Sequence, residues 1–93
     1  MVRIAVLVSG RGSNLQAIIN SIENKKISAV IAVVISDVQN ALALEIAMEH
    51  GIKTLFIDPS KFKTRENFDQ NIIEIIKREQ ATLICLAGFM RVL

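Results

Sequence analysis

The sequence predicts a doubly wound α/β protein with a parallel sheet, in the order βαβαβαβ. Three observations predict it. Short apolar, β-branched runs alternate with segments whose apolar residues recur at helical spacing. The runs are apolar throughout rather than at every second residue, which marks strands buried on both faces. The first strand is followed by a glycine-rich turn and a helix, the usual opening of such sheets.

Each element has its own justification. Arg3 to Val8 is nearly all apolar and reads as the first strand. After Ser9-Gly10-Arg11-Gly12-Ser13-Asn14, the residues Leu15, Ile18, Ile19 and Ile22 fall at i, i+3, i+4 and i+7, one stripe of a helix. Ser13 and Gln16 have capping-box spacing for its start. Ile27 to Ile35 is the second strand. Ala41, Leu44, Ala47 and Met48 stripe a second helix, closed by His50-Gly51 with Gly51 as the left-handed cap. Lys53 to Ile57 is a short strand broken by Asp58-Pro59-Ser60. Phe68, Ile72, Ile75 and Ile76 stripe a third helix, opened by Thr64 with Glu66 in its first turn. Ala81 to Ala87 is the fourth strand. The pattern is Rossmann-like, and ligands of such sheets bind at the carboxyl ends of the strands, here the loops after Val8, Ile35, Ile57 and Ala87.

Composition narrows the function. Ninety-three residues make one domain, and 52% are apolar, with a mean hydropathy of +0.45, so the chain has a core and is not disordered. The longest apolar run, Ala29 to Ile35, is far short of the roughly 18 residues a membrane helix needs. Eleven Lys and Arg stand against nine Asp and Glu, and the four aromatics are all Phe and scattered. Neither the basic footprint nor the stacking platform of a nucleic-acid binder is present. A single Cys makes no internal disulfide, which fits a reducing, cytoplasmic setting, and one Cys with one His builds no zinc site. Cys85 reads as a buried packing residue, and His50 as a structural residue at the end of the second helix.

The loop after the first strand is the best local signal. A strand, a Gly-x-Gly turn and a helix start place backbone N–H groups at a positive dipole end. The N–H groups of Gly12, Ser13 and Asn14 would point at a phosphate. Plain turn-making and capping share the same geometry, so both readings stay open. No Lys follows Gly12, which excludes a Walker P-loop. Leu15 occupies the sixth position of the dinucleotide fingerprint, and Asp37 comes late for the ribose-binding acid, so NAD is disfavoured and a simpler phosphate preferred.

Three segments carry a resemblance: Ile4-Ala5-Val6-Leu7-Val8-Ser9-Gly10-Arg11-Gly12-Ser13-Asn14-Leu15-Gln16-Ala17, then Thr64-Arg65-Glu66-Asn67-Phe68-Asp69, then Leu86-Ala87-Gly88-Phe89-Met90-Arg91-Val92-Leu93. In this order and spacing they resemble the phosphoribosylglycinamide formyltransferase family, the glycinamide ribonucleotide transformylases. The resemblance implies formyl transfer from 10-formyltetrahydrofolate to the amine of phosphoribosylglycinamide, in purine biosynthesis. It implies that Gly12, Ser13 and Asn14 grip the substrate phosphate and that Gly88 lies against the glycinamide. It places Met90, Arg91, Val92 and Leu93 along the formyl-folate pocket and Arg65 near the glutamate tail. Taken by itself, Arg65 is a solvated first-turn residue and Met90 to Leu93 a frayed end. Departures are Arg11, Ser36-Asp37 where Ser-Asn is more usual, and Ala43 where Gly is more usual; none is expected to touch the ligands.

The resemblance also sets residues 1–93 as the amino-terminal, ribonucleotide-binding half of a catalytic domain, ending after the fourth strand as if truncated there. The family's catalytic Asn, His and Asp would follow that point, so these residues alone are expected not to turn over. The expected partners are the ribonucleotide and the folate, with a complementing carboxyl-terminal half or self-association through an uncovered strand edge. The alternative is a non-catalytic phosphate- or nucleotide-binding module.

Overall fold

The computed structural model describes residues 2–9, 12–26 and 28–87, with Ser13 and Ala87 described by their backbone. Its elements are β1 (Val2–Val8), α1 (Ser13–Glu23), β2 (Ala29–Ser36), α2 (Leu42–Glu49), β3 (Thr54–Phe56), a 3-10 turn (Pro59–Lys61), α3 (Arg65–Arg78) and β4 (Leu83–Ala87). Among the described residues the strands form one parallel sheet in the order β3-β2-β1-β4. The expected doubly wound α/β fold is therefore present.

The order follows from the handedness of parallel crossovers. Helices α1 and α2 step the chain outward from β1 to β2 to β3 along one face. To return to the far side of β1, α3 must cross on the opposite face. The core accordingly divides in two. Ile4, Val6 and Val8 of β1 pack with Leu15 and Ile19 of α1 and Ala43 and Ala47 of α2. Ala5 and Leu7 pack with Phe68, Ile72, Ile75 and Ile76 of α3. This is why Ile4 to Val8 of β1 read as a continuous apolar run: both of their faces are covered.

Several local expectations are corrected. The pairing of β1 with β2 slips between Ile4 and Ala5, whose partners are Ile31 and Val33, leaving Ala32 as an extra residue. The bulge turns Val33 toward α3 while Ile31 faces α1 and α2. Met48 does not join the α2 stripe; it is 58% exposed, and Ala43 takes the buried place. Cys85 is half-buried, not buried. The Ser13–Gln16 capping box does not form. Gly12 is the N-cap, the Gln16 N–H bonds the Gly12 carbonyl at 2.8 Å, and the Gln16 side chain instead donates to Asn20 at 3.0 Å. Ile27, placed at the start of the second strand by the sequence, lies outside the described residues. Gly51 does close α2 in the left-handed region, at φ 71°.

β4 is covered less than its apolar sequence asks. Ile84 and Leu86 pair with Ala5 and Leu7 and so share the α3 face of the sheet. They are nonetheless 43% and 56% exposed, because α3 packs over β1 and β2. Exposed apolar strand surface favours association. Velocity sedimentation of the 93-residue chain is expected to show association that rises with concentration. Ile84→Lys with Leu86→Lys should return it to a monomer, and a wild-type monomer across the whole concentration range would contradict this.

Candidate functional site

The sheet has two rims of different character. At the amino rim, the polar side chains have partners. Arg3 of β1 donates from Nε and Nη2 to the Glu79 carbonyl at 3.1 and 2.8 Å, just past α3. Lys53 pairs with the Glu79 carboxylate, and His50 Nδ1 sits 3.4 Å from Glu23 Oε2. A cavity of about 480 Å³ opens here, floored by Ile19, Ile22, Ile31 and Ile52. Its lining side chains Arg3, Glu23, His50 and Lys53 already have partners within the fold. His50 sits at the end of α2, where the sequence places it.

The carboxyl rim is where β1 ends, and its last residue is flanked on both sides: Val8 pairs with Ser36 of β2 and with Ala87 of β4. Helix α1 leaves β1 on one face and α3 leads into β4 on the other, so the order of the sheet reverses between β1 and β4. That reversal is where open α/β sheets form their ligand crevice. The buried Ser36 hydroxyl closes the turn after β2, accepting from the Val38 N–H at 3.0 Å and donating to the Val38 carbonyl at 2.9 Å.

The amino end of α1 opens onto this rim. Its N-cap, Gly12, has no side chain to offer, and its first turn holds no acid. In α3, by contrast, Thr64 Oγ1 accepts from the Asn67 N–H at 3.1 Å, and Glu66 sits in the first turn. Helix α2 also lacks a side-chain cap, but it carries Glu45 in its first turn. Among the described helices, α1 alone presents uncapped N–H groups and no negative charge, the arrangement that favours an anion. Asn14 is exposed at this end and Leu15 is buried beneath it.

Glycine at position 12 has a reason the sequence did not reveal. Its φ is −97°, which any residue can adopt. A methyl group there would overlap the Ile46 δ-methyl and stand 3.4 Å from the Ala43 Cα. The tip of the Ile46 side chain, not the turn itself, fills the space a Cβ would take.

Arg65 opens α3 and lines a second, shallow cavity of about 330 Å³ with Pro59, Phe62, Lys63, Thr64 and Phe68. Phe62 meets Phe68 edge-on, with centroids 5.5 Å apart. A cation at a helix amino end opposes the dipole, so Arg65 does nothing for α3 that Lys77 and Arg78 do at its other end. Lys63 was missed by the sequence reading; its signal was the alternation Lys61, Lys63, Arg65. The groove therefore joins two cations and two aromatic rings. Gly88, Met90, Arg91, Val92 and Leu93 lie outside the described residues, as do Gly10 and Arg11. Register brings the end of β4 beside β1, but it brings Arg65 to neither.

Asp58 caps the 3-10 turn that leads into this groove. The Ser60 hydroxyl donates to it at 2.7 Å and the Ser60 N–H at 2.9 Å. The hydroxyl and then the N–H hold its carboxyl below the ordinary 3.8; desolvation works against them, and the charge of Lys61 adds a smaller lowering. A carboxyl depressed on folding stabilises above its unfolded value, and that contribution fades as pH falls through the folded one. Ser60→Ala should move the Asp58 midpoint upward in an NMR titration; an unmoved midpoint would show that the turn does not hold the charge.

Among the described residues no group of three His, Cys, Asp or Glu could hold a metal ion, and no helix is long and apolar enough to cross a membrane.

A family model described as formyl transferase matches residues 2–93. The trifunctional purine biosynthetic protein adenosine-3 of Drosophila melanogaster is 44% identical over 93 residues, covering 98% of this chain and 7% of that protein. Phosphoribosylglycinamide formyltransferase of Escherichia coli is 42% identical over 90 residues, covering 97% of this chain and 42% of that protein. The crystal structure of glycinamide ribonucleotide transformylase 1 from Symbiobacterium toebii superposes with a TM-score of 0.95 at 42% identity, covering 99% of this chain and 43% of that one. The chain thus spans less than half the length of these relatives. With the match running nearly end to end, the fold and the sequence agree: the chain belongs to the formyl transferase family.

Proposed function

We propose that this chain supplies the ribonucleotide-binding half of a formyl-transfer site, in which the formyl group of 10-formyltetrahydrofolate passes to the amine of phosphoribosylglycinamide in purine biosynthesis. The observation that carries this reading is the amino end of α1, uncapped and free of acid, at the point where the sheet reverses beside the end of β4. The backbone N–H groups of Gly12, Ser13 and Asn14 hold the phosphate ester. Gly88, one residue past β4, lies against the glycinamide, where the lack of a side chain permits close approach.

The folate donor brings the activated formyl group. Arg65 suits the carboxylates of its glutamate tail, and the groove it lines with Lys63 has the charge and the open shape for them. Met90, Arg91, Val92 and Leu93 line the pterin side. Residues 1–93 act as the amino-terminal half of a catalytic domain, working in the cytoplasm with a carboxyl-terminal half.

The chemistry needs donors for a developing oxyanion and a group to manage protons. The only His of the chain is paired with Glu23 at the opposite rim, and the only Cys is half-buried in β4. This chain orients the amine and fixes the phosphate; proton transfer falls to residues of the other half. The same observation favours the second reading, a phosphate-binding module without chemistry.

Calorimetric titration separates them. Phosphoribosylglycinamide should bind and its dephosphorylated riboside should not, with a folate analogue bound separately. Ribonucleotide binding without folate binding would select the module. Equal binding of both ribosides would remove the phosphate site altogether.

A further inference from the structure

We infer that Ile46 of α2 is a positioning residue for the phosphate-binding end of α1: its δ-methyl occupies the space of a Gly12 side chain and sets the height of the Gly12-Ser13-Asn14 backbone above the sheet. The inference rests on the phosphate site proposed above and adds a residue that touches no ligand.

Three observations support it. Gly12 is buried, yet its backbone has an ordinary negative φ, so no turn geometry calls for glycine. A Cβ at Gly12 meets Ile46 Cδ1 and Cγ1 and the Cα of Ala43, all from α2. Ile46 in turn packs, half-buried, against the core shared by β1, β2, α1 and α2. A phosphate held by main-chain N–H groups depends on where that main chain sits, because these bonds need donors within about 3 Å of the oxygens. Helix α2 therefore acts as the shelf on which the anion site rests, and its contact at Gly12 is where the shelf touches.

The contact can be exchanged between its two sides. Gly12→Ala adds a methyl that must displace the Ile46 δ-methyl or lift the loop. Ile46→Val removes that same δ-methyl and leaves the nearest remaining atoms at ordinary separation. Binding of ribose 5-phosphate is read by calorimetry and by the amide shifts of residues 12 to 14, with urea midpoints measured alongside. Gly12→Ala should weaken binding about ten-fold, close to 1.4 kcal/mol. Gly12→Ala combined with Ile46→Val should return affinity to within about three-fold of wild type. Ile22→Ala truncates a partly buried residue of the same core at the far end of α1; it should lower the urea midpoint and leave affinity unchanged.

A double variant that regains stability but still binds weakly would overturn the inference, because the ligand itself would then need the bare Cα. Gly12→Ala binding as wild type would overturn it equally. A wild-type protein that ignores ribose 5-phosphate would instead refute the phosphate site, and this inference with it.

Discussion

Asn14→Asp is expected to make the protein more stable and a poorer binder of phosphate. Position 14 is exposed in the first turn of α1, a turn that holds no acid. A carboxylate there complements the helix dipole and should add about 0.3–1 kcal/mol to the free energy of unfolding. The same charge stands where the phosphate ester would sit. Two like charges about 4 Å apart repel by around 4 kcal/mol in a partly screened setting, and solvent at this exposed position reduces that to roughly 1.5–3 kcal/mol. Affinity for phosphoribosylglycinamide should fall about ten-fold or more. Urea unfolding and calorimetry on the same sample check both signs. A loss of stability would mean that Asn14 contributes to folding through contacts other than the dipole. Unchanged affinity would mean that the phosphate binds elsewhere.

Phe68→Ala should destabilise the chain by about 3–5 kcal/mol. Phe68 is 1% exposed and the largest fully buried side chain of the fold. It anchors the amino half of α3 against Leu7 and Ile35, and its ring stands nearly perpendicular to that of Phe62. Small domains have total stabilities of about 5–15 kcal/mol, so the variant should be largely unfolded in mild urea. Phe62→Ala, at a half-buried ring, should cost clearly less. Because Phe68 also floors the groove beside Arg65, a folded residue of the variant should lose folate-analogue binding before ribonucleotide binding. A urea midpoint near wild type would show that α3 packs on the sheet without this ring.

The helix stripes were legible wherever large side chains mark them. Phe68, Ile72, Ile75 and Ile76 name the buried face of α3 without ambiguity. In α2 the marker residues are alanines, small enough to sit on either face, and Met48 was assigned inward by spacing alone; it points to solvent. The bulge at Ala32 left no trace because Ala29 to Ile35 is apolar on both faces, so a shift of one residue exposes nothing. The start of α1 was misplaced by one position: Ser13 resembles a cap, but Gly12 is drawn in against α2 and takes the cap position itself.

Of the proposed site, only the backbone arrangement at the start of α1 was legible in the sequence. A glycine-rich turn between a buried strand and a helix announces an anion site through the backbone, and that half follows from residues 4 to 15. The reason for Gly12 required the three-dimensional contact with Ile46, some thirty residues away in sequence. Arg65 gave no signal of its own in the sequence; the structure places it, exposed, in the first turn of α3 beside Lys63 and the rings of Phe62 and Phe68.

The most direct measurement is a crystal structure of the protein with phosphoribosylglycinamide. The account predicts phosphate oxygens about 2.7–3.2 Å from the main-chain nitrogens of Gly12, Ser13 and Asn14, with the ribose leading toward the end of β4. A phosphate seated at the amino rim, in the cavity beside His50 and Lys53, would contradict it.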